Sequence, residues 1–167
     1  MAQTFSFDVT STIDLQEVDN AINQARKEIA QRYDFKGSPA AIEFVKADSA
    51  LVLTAEDKFK VGAVWEILQT RLIRRNVPVK NMELGEVEAA AGSTVRQVVT
   101  LKQGIDTEAG KAIVKYLKDQ GLKKVQASIQ GDQVRVSSPS KDDLQAAIRV
   151  LKAHDFGVEL QFGNFRG

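Results

Sequence analysis

No cysteine occurs among the 167 residues. That absence excludes disulfides, thiolate zinc sites, iron–sulfur clusters and thiol nucleophiles. Small secreted domains commonly depend on disulfide staples, so the lack fits a reducing compartment. Histidine is nearly missing too. His154 stands alone at a helix end before Asp155, where capping is its expected role, and no metal-ligand set can be assembled. No apolar run approaches the length of a membrane span. Met1-Ala2-Gln3-Thr4-Phe5 offers neither the basic region nor the apolar core of a leader. A cytoplasmic protein away from the membrane is therefore expected. A basic excess is also lacking, with 23 basic and 22 acidic residues giving a net charge of +1. Proteins that coat nucleic acid usually carry such an excess, so any anion site here must be a local cluster. There is no Walker A sequence and no Gly-x-Gly-x-x-Gly. No nucleophile–base pair or carboxylate pair suggests catalysis, so an enzyme is the least expected class and no cofactor is implied.

What the chain does contain is a regular alternation of strand and helix periods. In residues 4–9, Phe5, Phe7 and Val9 face one way and Thr4, Ser6 and Asp8 the other, as in a half-buried strand. Leu15, Val18, Ile22, Ala25 and Ile29 recur at helical spacing over 15–31, with Asp14 as N-cap and Glu17 completing a capping-box pattern. The loop 32–39 precedes strands marked by Ile42, Phe44 and by Leu51, Leu53. A second helix is predicted from about Lys58 to Arg75, with Val61, Val64, Trp65, Leu68 and Leu72 on its stripe. Met82 and Leu84 predict a short closing strand, and 85–93, with Ala89-Ala90-Ala91-Gly92, reads as a linker.

The order then repeats: a strand over 94–102, a helix over about 106–120, strands over 124–130 and 133–138 joined at Gly131-Asp132, a helix over about 140–153, and a strand holding Val158, Leu160 and Phe162. Ile13-Asp14 aligns with Ile105-Asp106, and Lys58, Val61 and Leu68 align with Lys141, Leu144 and Leu151. The first copy is longer, and its surplus is expected in the loop around 32–40. The fold class is α+β, with two tandem ferredoxin-like (βαββαβ) domains whose helices cover one face of each sheet.

Two clusters and one surface could hold a ligand. Arg32, Tyr33, Asp34, Phe35 and Lys36 combine cations for phosphates, rings for stacking and a carboxylate that can accept from guanine, or else the rings pin the loop to the core. Arg71, Arg74 and Arg75 end a helix, where they could clamp a phosphate or simply complement the dipole. The uncovered face of the second sheet carries Lys124, Gln126, Ser128 and Gln130 on one strand, Gln133, Arg135 and Ser137 on the next and Glu159 and Gln161 on the last, with Arg96, Val98, Thr100 and Lys102 on its candidate first strand. Such groups can read bases, but the face lacks the aromatics of an RNA-recognition motif, and a merely solvated or interfacial face is the alternative.

Ser6-Phe7-Asp8, Asp14-Leu15-Gln16-Glu17-Val18-Asp19-Asn20-Ala21, Arg32-Tyr33-Asp34-Phe35-Lys36-Gly37-Ser38, Ala55-Glu56-Asp57-Lys58-Phe59-Lys60, Ile129-Gln130-Gly131-Asp132-Gln133-Val134-Arg135-Val136 and Leu160-Gln161-Phe162-Gly163-Asn164-Phe165-Arg166 resemble the YajQ family. The match spans essentially the whole chain. The resemblance implies a bacterial nucleotide-binding protein without catalytic activity, for which cyclic di-GMP, GTP or ATP, and tRNA, are ligands to expect. It also implies that the two domains exchange first strands. Domain 1 would then be 11–102 with its first strand from 94–102, and domain 2 would be 1–10 plus 103–167 with its first strand from 3–10, the linker being 85–93. The expected function is a non-enzymatic nucleotide-binding effector acting through a partner. The alternatives are an RNA or tRNA-binding module and a protein-interaction adaptor such as a transcription co-regulator. The residues chosen on chemistry and motif position are Arg32, Tyr33, Asp34, Phe35, Lys36, Arg71, Arg74, Arg75, Arg96, Gln130, Arg135 and Arg166.

Overall fold

The structure is a computed structural model that describes residues 4–167. Met1, Ala2 and Gln3, on which the leader reading and the start of the first strand fell, lie outside the described residues. In chain order the elements are β1 (Phe5–Thr10), α1 (Leu15–Gln31), β2 (Ala41–Val45), β3 (Ala50–Ala55), α2 (Lys58–Arg74), β4 (Met82–Ala90), β5 (Thr94–Leu101), α3 (Thr107–Asp119), β6 (Gln126–Gln130), β7 (Gln133–Ser138), α4 (Lys141–Lys152) and β8 (Gln161–Arg166). They form two compact units. The first is Ile13–Lys102, and the second joins residues up to Thr12 with Gln103–Gly167.

The helices start where a side chain replaces the missing intrahelical acceptor. Asp14 accepts from the backbone of Gln16 and Glu17, Asp57 from Lys60, Asp106 from Ala109 and Ser140 from Asp143. The capping box is only half made, because the Glu17 carboxylate turns to Arg75 instead. Val18, Ala21, Ile22 and Ala25 of α1 and Val61, Val64, Leu68 and Leu72 of α2 are buried against the first sheet, as their spacing requires. Leu144, Ala147, Ile148 and Leu151 of α4 and Ile113 and Leu117 of α3 do the same in the second unit.

Both sheets are four-stranded and antiparallel. The first has the order β2-β3-β5-β4 and the second β6-β7-β1-β8. The first strands are thus exchanged: β5 sits between β3 and β4, and β1 between β7 and β8. Phe7 and Val9 of β1 are fully buried in the second core. Burying each is worth about 1.5–3 kcal/mol, so the second unit cannot close its core without β1.

Two boundaries differ from the sequence reading. Residues 85–90 are not linker but the outer half of β4, and only 91–93 turn the chain into β5. Because β4 is an edge strand, Glu86 and Glu88 can stay in solvent, and the apolar alternation that marks a strand is weak there. A register shift lies between Leu84 and Val87, where the Gly85 carbonyl accepts from Gln97. The last strand starts at Gln161 rather than at Val158. It runs to Arg166 through a bulge with Asn164 at φ 54°, so alternation does not hold along it.

Candidate functional site

The loop 32–36 folds back on itself. Arg32 donates to both carboxylate oxygens of Asp34, at 3.0 and 2.8 Å, and its guanidinium lies 5.4 Å from the Phe35 ring centroid. The bond from Arg32 holds the Asp34 carboxyl below its ordinary range and shifts the guanidinium upward from its own. Phe35 is 4% exposed within the first core, so it pins the loop and offers no face to a base. Lys60 secures the other side, donating to the Asp34 carbonyl with its ammonium 4.8 Å from the Phe35 centroid. Tyr33 is left almost bare at 87% exposure, and Lys36 is exposed.

The three arginines of α2 do not form a clamp. Arg71 donates twice to Glu28 of α1, which also lies 3.7 Å from Arg32. Arg75 donates to Glu17 at 2.6 Å, and Arg74 alone points to solvent. Two of the three therefore brace α1 against α2. On the sheets, Arg96 lies 3.6 Å from Glu88 on the neighbouring strand. Arg135 donates at 3.0 Å to Asp8, whose other carboxylate oxygen accepts from Asn164. These bonds, Arg135 first and Asn164 second, pull the Asp8 carboxyl below its ordinary range. Gln130 reaches only Ser128, at 3.5 Å. Gln161 is committed to Thr12, accepting from its hydroxyl and donating to its carbonyl. Most of the polar groups read from the sequence as ligand contacts are thus bonded to other side chains or backbone of the protein.

Arg166 is different. Within the second unit a pocket of about 340 Å³ opens where β1, β8 and α4 meet, lined by Phe5, Ser6, Lys141, Gln145, Phe165 and Arg166 among others. The β8 bulge brings Phe165 within 6.0 Å of Phe7, ring centroid to centroid, while leaving it 62% exposed. Lys141 opens α4 and holds its ammonium 5.0 Å from the Phe5 ring centroid. Among the described residues, neither Lys141 nor Arg166 makes a side-chain hydrogen bond or ion pair. Two rings and two cations around one hollow suit a planar ligand that carries negative charge. The positive end of α4 adds to the field there.

Of the residues lining this pocket, the sequence reading names Arg166 but not Phe5, Lys141 or Phe165. Phe5 was read only as core, and Phe165 needs the bulge to be seen. Phe59 was missed as well. It is 83% exposed at the start of α2, and its signal is an aromatic lying off the apolar stripe. His154 does not cap α4, which ends at Lys152 with Ala153 as its C-cap; it lies in the turn beyond and stacks on Tyr116, centroids 4.3 Å apart. Among the described residues no group of His, Asp or Glu is placed to hold a metal ion, and no helix is long and apolar enough to cross a membrane.

Residues 5–166 match the model of a family described as nucleotide-binding protein YajQ-like. A protein of Acidithiobacillus ferrooxidans is 53% identical over 161 residues, covering 96% of this chain and 98% of its own length. Proteins of Chloroherpeton thalassium and Bacillus cereus are 48% and 50% identical over 166 residues, covering 99% of this chain and all of their own. Each of these relatives carries the name nucleotide-binding protein.

Proposed function

This chain belongs to the family of YajQ-like nucleotide-binding proteins, and from that premise we propose that it is a non-enzymatic effector that binds a nucleotide in the second-unit pocket and acts through a partner. One observation carries the choice of pocket: it joins two phenylalanines to two cations that, among the described residues, make no side-chain hydrogen bond or ion pair. A base lies against Phe165 and Phe5, and its phosphate meets Lys141 and Arg166. A buried base–aromatic stack contributes on the order of 1–3 kcal/mol. A charge-assisted bond from an arginine to phosphate is among the stronger polar contacts a site can make.

The pocket volume lies at the lower end of the roughly 300–1,000 Å³ typical of ligand sites. It suits one base with its phosphate. A cyclic dinucleotide would seat one arm there and leave the other outside. Cyclic di-GMP is the ligand the motif resemblance favours, with GTP and ATP next. The loop 32–36 contributes no phosphate clamp in this reading, because Arg32 is already held by Asp34. RNA takes second place, since Arg135 and Gln161 on the polar sheet face are engaged within the protein.

Calorimetric titration with cyclic di-GMP, GTP, ATP and tRNA tests the proposal. Saturable heat with one of the three small nucleotides supports it. Heat with tRNA alone, falling steeply with salt, moves the function to RNA.

A further inference from the structure

Because the units repeat one plan, equivalent positions can be compared. Asp14 caps α1 as Asp106 caps α3. Ile42 and Phe44 on β2 pair with Leu53 and Leu51, as Ala127 and Ile129 on β6 pair with Val136 and Val134. By this correspondence Val18, Ile22 and Ile42 of the first unit stand where Gly110, Val114 and Ala127 stand in the second. Each exchange removes carbon. In the first unit all three side chains are buried. In the second, Val114 and Ala127 are only partly covered, Ile129 is 38% exposed, and a groove of about 360 Å³ opens between α3 and β6.

The charged rim differs in the same place. On α1 the outer face carries Asp19, Asn23 and Arg26. Asp19 is paired with Lys46 at 2.8 Å, and Arg26 donates twice to the Ile42 carbonyl, closing the free edge of β2. The equivalent residues on α3 are Lys111, Lys115 and Lys118, all of which line the groove. Their spacing puts them on one stripe of the helix. Lys123 and Lys124 follow in the turn to β6. Among the described residues none of these five lysines makes a side-chain hydrogen bond or ion pair. β6 is the edge of its sheet, and among the described residues no side chain donates to its backbone as Arg26 does to that of β2.

We propose that this groove docks an extended acidic segment of a partner protein, laid along β6 with its carboxylates on the α3 lysines and its apolar side chains on Val114, Ala127 and Ile129. Lysines beside an edge strand also discourage aggregation, but that role does not require the floor to be hollowed out. The floor is aliphatic, without a ring to stack a base, and the rim has no arginine to fork a phosphate. A nucleic acid would therefore leave the floor unused. An added strand meets both features, since alternate side chains point into the groove while its backbone pairs with the open edge.

The test is an amide-resonance titration of the full chain with a synthetic peptide that alternates glutamate with valine. A lysine-for-glutamate peptide and an oligothymidylate are the comparison probes. Docking moves the amides of Gln126–Gln130 and Lys111–Lys118 with the acidic peptide only. Lys115→Glu combined with Lys118→Glu weakens it by about tenfold or more, the scale of losing two close charge contacts. Ala127→Ile, which keeps every charge and refills the floor as in the first unit, weakens it comparably, and circular dichroism checks that both variants fold. The proposal is overturned if these amides stay still with the acidic peptide. It is also overturned if the oligothymidylate moves them as strongly and Ala127→Ile leaves that binding unchanged, which would make the groove a nucleic-acid surface.

Discussion

Asp8 on β1 and Arg135 on β7 are joined by a 3.0 Å hydrogen bond across the middle of the second sheet, with Asp8 only 6% exposed. The two lie far apart in the chain, and Asn164 on β8 donates to the same carboxylate at 2.6 Å. One acid thus ties together three strands, including the one that arrives from the far end of the chain.

Replacing that acid tests its worth. Asp8→Ala strands a half-buried guanidinium and an amide, and costs about 1–3 kcal/mol of stability at neutral pH. The folded-state carboxyl sits below its ordinary value of 3.8. Its contribution is therefore complete above that value and is lost as pH falls through it towards the lower folded value. Urea unfolding at several pH values should show a larger gap between wild type and variant at pH 7 than at pH 3. An equal gap at both would mean the charge is not what matters.

Strand exchange makes the two units unequal as fragments. Ile13–Lys102 is continuous and holds every strand of its sheet. Expressed alone it should unfold cooperatively. Gln103–Gly167 lacks β1, the inner strand that carries Phe7 and Val9. It should remain unfolded until a peptide covering β1 is supplied, as dispersed amide resonances would report. Within the full chain, Phe7→Ala should cost about 3–5 kcal/mol.

Arg75 is expected to be a brace and not a ligand contact. Its bond to Glu17 joins α1 to α2 at a partly exposed site. Arg75→Ala should lower stability by about 1 kcal/mol or less and leave nucleotide affinity unchanged. A lost ligand with unchanged stability would return the α2 arginines to the binding site.

Helices were legible because their buried faces recur every third or fourth residue, as Val61, Val64, Leu68 and Leu72 do on α2. The exchange of β1 and β5 was not legible from pattern. Phe7 and Val9 on one strand, and Val99 and Leu101 on the other, present the same alternation to either sheet. Only resemblance to a family suggested it. β4 was underread because an edge strand needs little apolar alternation. The loop 32–36 advertised the right residue types, yet composition does not say whether Arg32 faces a ligand or Asp34. The pocket depends on a backbone irregularity at Asn164, and no spacing rule reveals where Phe165 goes after it.

The most direct test compares two aromatic variants in nucleotide titration, beside the wild type. Phe165 lines the second-unit pocket, whereas Tyr33 stands exposed on the first unit. Phe165→Ala should weaken binding by about tenfold or more, the loss of a base stack, and Tyr33→Ala should leave it intact. Binding abolished by Tyr33→Ala and untouched by Phe165→Ala would contradict the pocket and place the nucleotide on the loop beside α2.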